Sequence, residues 1–227
     1  MIINEIFYSI QGEGLLAGVP SVFIRLAGCP LRCEWCDTKY ALDPAAGEDL
    51  TIEQIIDKIE NIASPPNDER RVTSDECRYI VITGGEPMVN PQLPQLTAEL
   101  KKLRPHVTIE TAGIKFVPEI PCDLMSISPK TSNSGQKTEN QAVKQLIEHY
   151  PYQLKFVVDT PDDLPEILKF VAGLEDVDPT RVMLMPQAKT RDELLAKSPM
   201  VAELCKQAGY VFCNRLQILL YNGQRGK

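Results

Sequence analysis

Short apolar runs alternate with amphipathic helix patterns along most of this 227-residue chain. The runs that predict β-strands cover residues 2–9, 20–27, 79–83, 107–110, 124–128, 152–159 and 181–185, and the patterns that predict helices cover residues 51–62, 92–103, 139–150 and 160–171, with a last helix beginning at Thr190. Strands that alternate with helices pair in parallel through right-handed crossovers. The strand–helix units number six, which is too few for a closed eight-stranded barrel. We therefore expect an α/β fold, a partial (β/α)6 barrel, in a single domain spanning residues 1–227.

The composition limits the cellular compartment and the partners that we expect for this chain. A formal net charge of −7 argues against a broad nucleic-acid-binding face. No apolar run approaches the roughly 20 residues needed to span a bilayer, and the first residues lack the basic and apolar regions of a signal peptide. We therefore expect a cytoplasmic protein with no membrane partner and no direct nucleic-acid partner. Seven cysteines in a reducing compartment favour ligands over disulfides. The four scattered ones are interpreted as structural: Cys77, Cys122, Cys205 and Cys213.

Three further cysteines, Cys29, Cys33 and Cys36, follow the strand at 20–27 with offsets of four and three. Thiolates this close can hold an iron–sulfur cluster or contribute to a metal site. A closed structural zinc site has four protein ligands, and neither His106 nor His149 lies in a zinc motif. A [4Fe–4S] cluster held by three cysteines leaves one iron open for another ligand. A zinc site with a distant fourth ligand remains the alternative.

Polar or glycine-rich clusters follow the predicted strands. They are the cysteine loop (residues 27–38), Thr83-Gly-Gly-Glu86, Glu110-Thr111, Ser128-Pro129-Lys130, Lys155 with Asp159, and Gln187. In parallel α/β folds the active site forms at the carboxyl ends of the strands. We therefore expect these clusters to surround one site.

The spacing of Cys29, Cys33 and Cys36, with Trp35 between them and a Gly-Gly-Glu-Pro run at 84–87, resembles the radical S-adenosyl-L-methionine (SAM) superfamily. Segments 7–14, 23–29, 36–38, 83–87 and 128–130 resemble the 7-carboxy-7-deazaguanine synthase family within it. The resemblance implies a partial barrel of the radical SAM type. It also implies a lyase that converts 6-carboxy-5,6,7,8-tetrahydropterin into 7-carboxy-7-deazaguanine, with ring contraction and loss of ammonia, on the route to queuosine.

The same resemblance implies cofactors, partners and site residues. The cofactors are a [4Fe–4S] cluster, SAM and Mg²⁺, and the partners are an electron donor such as flavodoxin or ferredoxin and a second copy of the chain in a homodimer. The implied cluster ligands are Cys29, Cys33 and Cys36, and the implied magnesium ligand is Thr38. The implied SAM contacts are Trp35, Cys36, Asp37, Gly84, Gly85, Glu86, Ser128, Pro129, Lys130 and Gln187. The implied substrate contacts are Ile10, Gln11, Gly12, Glu13, Arg25 and Thr83.

Several of these residues have a second interpretation. Arg25 lies in an apolar strand, where an unpaired charge is costly, so its partner is either the substrate carboxylate or an internal acid, Glu13 or Glu110. Trp35 can serve as a hydrophobic anchor, as a SAM contact, or as both. Gln217 departs from the family, in which a histidine often occupies that place. The apolar run 216–221 is interpreted as an interface strand.

Two other functions compete with the synthase. One is a radical SAM activase that places a glycyl radical on a partner enzyme, and the other is a non-enzymatic iron–sulfur or zinc-binding interaction module. The runs Gln11-Gly-Glu-Gly14 and Cys36-Asp-Thr38 favour the synthase, because an activase has no small pterin to bind. The polar clusters at successive strand ends argue against a module without catalysis.

Overall fold

A computed structural model describes residues 1–63, 79–103 and 105–227. Its strands are β1 (Ile2–Ile10), β2 (Pro20–Leu26), β3 (Glu48–Asp49), β4 (Tyr79–Gly84), β5 (His106–Thr111), β6 (Leu124–Ile127), β7 (Tyr152–Val158), β8 (Val182–Pro186) and β9 (Val211–Phe212). Its helices are α1 (Ile52–Ala63), α2 (Leu93–Lys102), α3 (Asn140–His149), α4 (Leu164–Ala172), α5 (Arg191–Ala208) and α6 (Leu216–Tyr221). None of these helices combines the length and the apolar character needed to cross a bilayer.

The strands form one sheet in the order β3-β1-β2-β4-β5-β6-β7-β8-β9. β1 pairs with both of its neighbours antiparallel, and every pairing from β2 to β9 is parallel. The order runs from one edge to the other without closing. The predicted partial barrel is therefore confirmed, with β1 added as an antiparallel strand. The short strands β3 and β9 were not predicted.

The parallel strands present different residues on their two faces, because successive side chains in a strand point in opposite directions. Ile82 of β4 and Phe156 of β7 belong to the main hydrophobic core that the helices cover. Their neighbours Thr83 and Lys155 line a cavity on the opposite face. The core thus occupies the helix side of the sheet, and the polar positions of the strands face the cavity.

Two of the helices begin with capping boxes. At the start of α1 the Gln54 backbone N–H donates to Thr51 Oγ1 at 3.3 Å, and the Thr51 N–H donates to Gln54 Oε1 at 2.9 Å. Thr190 and Glu193 make the equivalent pair at the start of α5. Each box satisfies backbone donors that a helix terminus leaves without partners.

The Ser198-Pro199 pair predicts a kink or a restart of the last long helix, and the restart is wrong. α5 runs as one helix from Arg191 to Ala208 with Pro199 inside it. A proline inside a helix removes one backbone hydrogen bond. Leu194 before the proline and Val201 after it are both buried, so packing holds the two halves in one helix.

The expected interface strand at 216–221 is also wrong, because these residues form α6. Only Ile218 of this helix is fully buried, while Leu220 is exposed. An apolar run of six residues suits a strand and a short helix equally well. The Leu216 backbone N–H donates to Gly12 O at 2.9 Å, which ties the start of the helix to the loop after β1.

The scattered cysteines that the structure describes are free and at least partly buried, as expected of structural residues. Cys205 and Cys213 are buried free thiols, and Cys122 is a half-buried one. Cys77 lies outside the described residues.

Candidate active site

The carboxyl ends of the parallel strands surround a cavity of about 610 Å³. That volume lies within the usual range of small-molecule sites, roughly 300–1,000 Å³. Most of the polar clusters expected at one site meet here, whereas Glu86, Asp159 and Gln187 are not among the lining residues. The residues with predicted roles that line the cavity are Ile10, Gln11, Gly12, Glu13, Arg25, Cys29, Cys33, Trp35, Cys36, Asp37, Thr38, Thr83, Gly84, Gly85, Ser128 and Lys130.

The cysteine loop is held by backbone hydrogen bonds to two other segments. The Gly28 N–H donates to Ala41 O at 2.8 Å, and the Cys29 N–H donates to Leu42 O at 3.2 Å. The Glu34 N–H donates to Ser134 O at 3.0 Å. These bonds fix the loop at the edge of the cavity, where its three cysteines are half-buried free thiols.

The three thiols of the loop do not form a ready-made site for a single ion. Within residues 1–63, 79–103 and 105–227, no three His, Cys, Asp or Glu side chains are grouped so that they could hold one metal ion. A zinc ion draws its thiolates to within about 4 Å of one another, because each Zn–S bond is about 2.3 Å long. In a [4Fe–4S] cluster each cysteine binds a different iron, so the thiolates stand farther apart. The three half-buried cysteines of the loop could supply the three protein ligands of a cluster.

The thiols also need a positive group to become ligands. Burial raises the pKa of Cys29; the Leu31 backbone amide opposes this effect, and the Glu86 carboxylate adds to it. Burial raises the pKa of Cys36 as well, against the Thr38 backbone amide. Lys130 lowers the pKa of Cys36 without outweighing burial, and bound iron would supply the remaining positive charge, because metal coordination deprotonates a thiol outright.

Two adjacent glycines allow β4 to end directly against the cysteine loop. A Cβ at Gly84 would lie 2.2 Å from Leu26 O, and one at Gly85 would lie 2.0 Å from Gly28 O. Gly84 also has a φ of 134°, which side chains rarely adopt. The close approach that these glycines make is therefore to the backbone that carries the cysteines.

Trp35 both anchors the loop and faces the cavity. Its ring packs against a small cluster that contains Val157 and Met185, and it lines the cavity. Lys130 Nζ lies 5.4 Å from the ring centroid and donates to Ser128 O at 2.8 Å and to Ser128 Oγ at 2.9 Å. The two interpretations of Trp35 are thus compatible.

Three predicted SAM contacts do not line the cavity: Glu86, Pro129 and Gln187. The Glu86 carboxylate accepts hydrogen bonds from Thr111 Oγ1 at 2.6 Å and from the Ala112 N–H at 2.7 Å. Gln187 Oε1 accepts from Lys197 Nζ at 2.8 Å. Burial raises the pKa of Glu86 in spite of its hydrogen bonds. Both side chains are hydrogen-bonded within the protein, and their contacts with SAM stay predictions.

Glu13 accepts hydrogen bonds from three side chains beside the cavity. Lys155 Nζ lies 2.9 Å from Oε2, while Arg215 Nε and Gln217 Nε2 lie 3.1 Å and 2.7 Å from Oε1. Burial raises the pKa of Glu13, but the two cations outweigh it and hold the pKa well below its ordinary value. Burial lowers the pKa of Lys155, and the carboxylates of Glu13 and Glu110 raise it above its ordinary value. Glu13 and Lys155 are therefore both charged at neutral pH.

Two amide side chains complete this part of the wall. Gln11 Nε2 donates to Glu110 Oε1 at 3.2 Å, and Gln11 Oε1 accepts from the Glu13 N–H at 3.1 Å. Gln217 Oε1 is buried without a hydrogen-bond partner in the part of the chain that the structure describes. A buried acceptor without a partner is costly in a folded protein. Gln217 lines the cavity, and its Oε1 lies against Gly12, where a Cβ would stand 1.9 Å from it.

Arg25 pairs with Glu5, and not with either of the two acids considered from the sequence. Its Nε donates to Glu5 Oε1 at 2.6 Å. The antiparallel register of β1 and β2 places Glu5 directly opposite Arg25. The partner expected inside the protein was therefore wrong, because that expectation did not include the pairing of the first two strands.

Asp37 and Thr38 extend the cysteine loop over the cavity. Thr38 Oγ1 donates to Asp37 Oδ1 at 2.8 Å, and Asp37 Oδ2 accepts from Arg215 Nη2 at 2.5 Å. The Thr38 oxygen keeps its lone pairs, because its hydrogen makes this bond. It can therefore still act as a metal ligand.

Comparisons with known proteins agree with this geometry. A family model described as the radical SAM superfamily matches residues 23–170. A 7-carboxy-7-deazaguanine synthase from Rhodopirellula baltica is 37% identical and covers 100% of this chain and 88% of its own length. One from Halobacterium salinarum is 34% identical and covers 97% of this chain and 90% of its own length. The crystal structure of QueE from Escherichia coli superposes with a TM-score of 0.71 at 28% identity, covering 94% of this chain and 92% of that chain.

The chain belongs to the 7-carboxy-7-deazaguanine synthase family of the radical SAM superfamily. It is therefore a radical SAM enzyme, and its family implies a [4Fe–4S] cluster and SAM as cofactors. The family and the enzyme class expected from the sequence are confirmed.

Two charged residues beside the cavity, Glu5 and Arg215, were not predicted to belong to the site. Arg215 pairs with Glu13, and Glu5 pairs with Arg25. Lys155, which also pairs with Glu13, belongs to a strand-end cluster that was expected at the site. Arg215 begins a tail that resembles the family's, but no spacing or periodicity indicated its pairing with Glu13.

Proposed function

We propose that this enzyme converts 6-carboxy-5,6,7,8-tetrahydropterin into 7-carboxy-7-deazaguanine by ring contraction with loss of ammonia. One observation carries the proposal: Arg25, suited to a carboxylate, and Glu13 with Gln11, suited to a pterin edge, share one cavity with the three cysteines. Curated relatives of this name align with nearly the whole chain.

The cysteine loop would hold the cofactors. Cys29, Cys33 and Cys36 would bind three irons of the cluster, and SAM would bind at the fourth iron, next to the Gly84-Gly85 backbone and Lys130. When bound, these groups supply the 5′-deoxyadenosyl radical that removes a hydrogen atom from the substrate. The Trp35 ring and the backbone of the loop would border the cofactors on that side of the cavity.

Glu13 is positioned to accept from the pterin. A carboxylate has about four acceptor positions. Oε1 of Glu13 is used by Arg215 and Gln217, while Oε2 is used by Lys155 alone among the described residues. One position on Oε2 is left for a ligand N–H. Lys155 acts as a fixed positive charge and not as a proton donor, because the acids around it raise its pKa.

Magnesium would bind at Thr38. Mg²⁺ prefers oxygen ligands, keeps several waters, and commonly takes further oxygens from the substrate. The Thr38 hydroxyl and the Asp37 carboxylate are joined by a hydrogen bond at the cavity wall. A substrate carboxylate beside them would complete the oxygen ligands.

The test is an anaerobic incubation of reconstituted protein with SAM, a reductant, Mg²⁺ and carboxytetrahydropterin. We expect 7-carboxy-7-deazaguanine by mass spectrometry, with SAM recovered. Cys33→Ala should lose both the visible absorbance of the cluster and the product. Cys122→Ala is the matched control, since that thiol lies outside the cavity. Cleavage of SAM without any deazaguanine would contradict the proposal and favour the glycyl radical activase.

The wider setting is proposed on the same basis. We place the reaction on the route to queuosine in the cytoplasm, with electrons from a flavodoxin or a ferredoxin. We also propose a homodimer, which sedimentation of the reconstituted protein would test. These points rest on the family alone.

A further inference from the structure

The segment after α6 returns to the first strand and covers one side of the cavity. Residues 223–227 line the cavity together with Arg25. Arg225 Nε lies 2.9 Å from Glu5 Oε2, and its Nη2 lies 3.0 Å from Asn4 Oδ1. Its guanidinium lies 4.0 Å from the centroid of the Tyr40 ring. Arg225 is thus attached to the strand that also holds Arg25.

Glu5 is shared between two arginines. Its Oε1 accepts from Arg25 Nε at 2.6 Å and from the Tyr40 hydroxyl at 3.0 Å, and its Oε2 accepts from Arg225 Nε. Burial raises the pKa of Glu5, but the hydrogen bonds from Arg225 and Arg25 outweigh it and keep the pKa below its ordinary value. Glu5 is therefore ionised and accepts hydrogen bonds on both oxygens.

Because Glu5 pairs with both arginines, the net charge beside Arg25 depends on Arg225. With Arg225 in place, two cations face one carboxylate, and the group has a net charge of +1. Without Arg225, Glu5 alone would neutralise Arg25. Arg25 contacts Glu5 only through Nε, and its Nη nitrogens make no hydrogen bond within the described residues. These donors lie at the cavity wall, flanked by the Phe7 and Tyr40 rings at 5.7 Å and 5.9 Å.

We propose that Arg225 is a positioning residue that occupies the second oxygen of Glu5 and so leaves Arg25 with uncompensated charge for the carboxylate of the substrate. This inference rests on the proposed function, because it takes the ligand of Arg25 to be the carboxylate on the pterin. A bidentate carboxylate would bind the two Nη nitrogens while Nε stays on Glu5. Arg225 acts on the ligand through Glu5 and Arg25.

The test measures binding and does not require turnover. The reconstituted enzyme with SAM is titrated anaerobically with carboxytetrahydropterin and, separately, with tetrahydropterin that lacks the carboxylate. Arg225→Gln should weaken binding of the carboxylated ligand roughly threefold to fivefold, the size of one partly exposed charge interaction. Binding of the ligand without the carboxylate should not change. Arg225→Lys should recover most of the affinity, and in turnover the loss should appear in KM and not in kcat.

Two further variants test whether Arg225 acts through its charge or through a structural effect of its replacement. Adding Glu5→Gln to Arg225→Gln removes the neutralising carboxylate and should restore affinity for the carboxylated ligand. Arg181→Gln is the matched control, since Arg181 also stacks on a tyrosine, at 5.5 Å, and pairs with an aspartate outside the cavity. It should leave both affinities unchanged.

These experiments test the role of Arg225 separately from the proposed function. Equal weakening of both ligands by Arg225→Gln, or no weakening, would overturn the role of Arg225 even if the wild-type enzyme makes the deazaguanine. Absence of product from the wild-type enzyme would overturn the proposed function, and the binding difference would still decide whether Arg225 controls carboxylate affinity. Restoration of the affinity by Glu5→Gln would support the inference that the Glu5 carboxylate is shared between Arg25 and Arg225.

Discussion

At the scale of single residues, Glu13 connects several side chains of the cavity wall. Its carboxylate joins Lys155 to Arg215 and Gln217, so two distant parts of the chain depend on it. Removing one partner of a buried ion pair leaves the other charge uncompensated. In this site two cations would lose a common acceptor.

Glu13→Gln should therefore lower the free energy of unfolding at pH 7 by about 3 kcal/mol, the low end for a broken buried pair, since Lys155 and Arg215 keep their second acids. The pKa of Glu13 is lowered from 4.5 in the folded protein. Its stabilising contribution is thus fully present above about pH 4.5 and is lost as the pH falls towards the folded pKa. Urea unfolding at several pH values should show the free energies of unfolding of wild type and variant approaching each other as the pH falls below about 4. Parallel stability curves would rule out this role.

Thr38→Ala is a second prediction at this scale, and it depends on the proposed magnesium site. The hydroxyl is the only metal ligand that this side chain can offer. The variant should need roughly tenfold more Mg²⁺ for half-maximal product formation. Thr38→Ser keeps the hydroxyl and should behave like wild type. An unchanged Mg²⁺ titration of Thr38→Ala would remove this residue from the metal site.

At the scale of elements, the junction of β2 and β4 positions the cysteine loop. The Gly85 N–H donates to Leu26 O, and the Glu86 N–H donates to Gly28 O, both at 2.9 Å. The end of β4 is therefore bonded to the backbone that leads into Cys29. A side chain at Gly84 would separate these strands at the point where the loop begins.

Gly84→Ala should lower the free energy of unfolding by about 1–3 kcal/mol and reduce the iron retained after reconstitution. Urea unfolding and an iron assay on the same samples would measure both effects. Gly18→Ala is the matched control, because Gly18 has a positive φ of 89° but a Cβ there would meet nothing within 4 Å. Equal losses of stability and of iron in the two variants would show that the positive φ causes these losses and that the contact with Leu26 does not.

At the scale of the whole molecule, the cavity brings together segments from both ends of the chain. Its wall includes the loop after β1, the cysteine loop, the ends of the parallel strands and the residues after α6. A ligand that fills it contacts the folded state and has no equivalent site in the unfolded chain. Binding should therefore raise the stability of the entire fold.

We expect SAM, at about one hundred times its dissociation constant, to stabilise the reconstituted enzyme by about 2.7 kcal/mol. For a chain of this length that corresponds to an increase in Tm of about 5–10 °C. Anaerobic calorimetry would measure it. Cys33→Ala, which should lack the cluster, provides the control, and an equal rise in that variant would place SAM away from the cysteine loop.

The sequence was sufficient for the features that depend on local spacing. The alternation of strands and helices predicted the parallel sheet, and the offsets of Cys29, Cys33 and Cys36 predicted the cluster loop, since periodicity and spacing are properties of short segments. The burial of Arg25 required a partner but did not identify it, because the register of β1 against β2 selects Glu5. Glu13 and Arg215 are 202 residues apart, so their ion pair exists only after the chain returns to its first loop. Contacts of this kind depend on the tertiary structure, because a buried charge requires compensation wherever the fold can supply it.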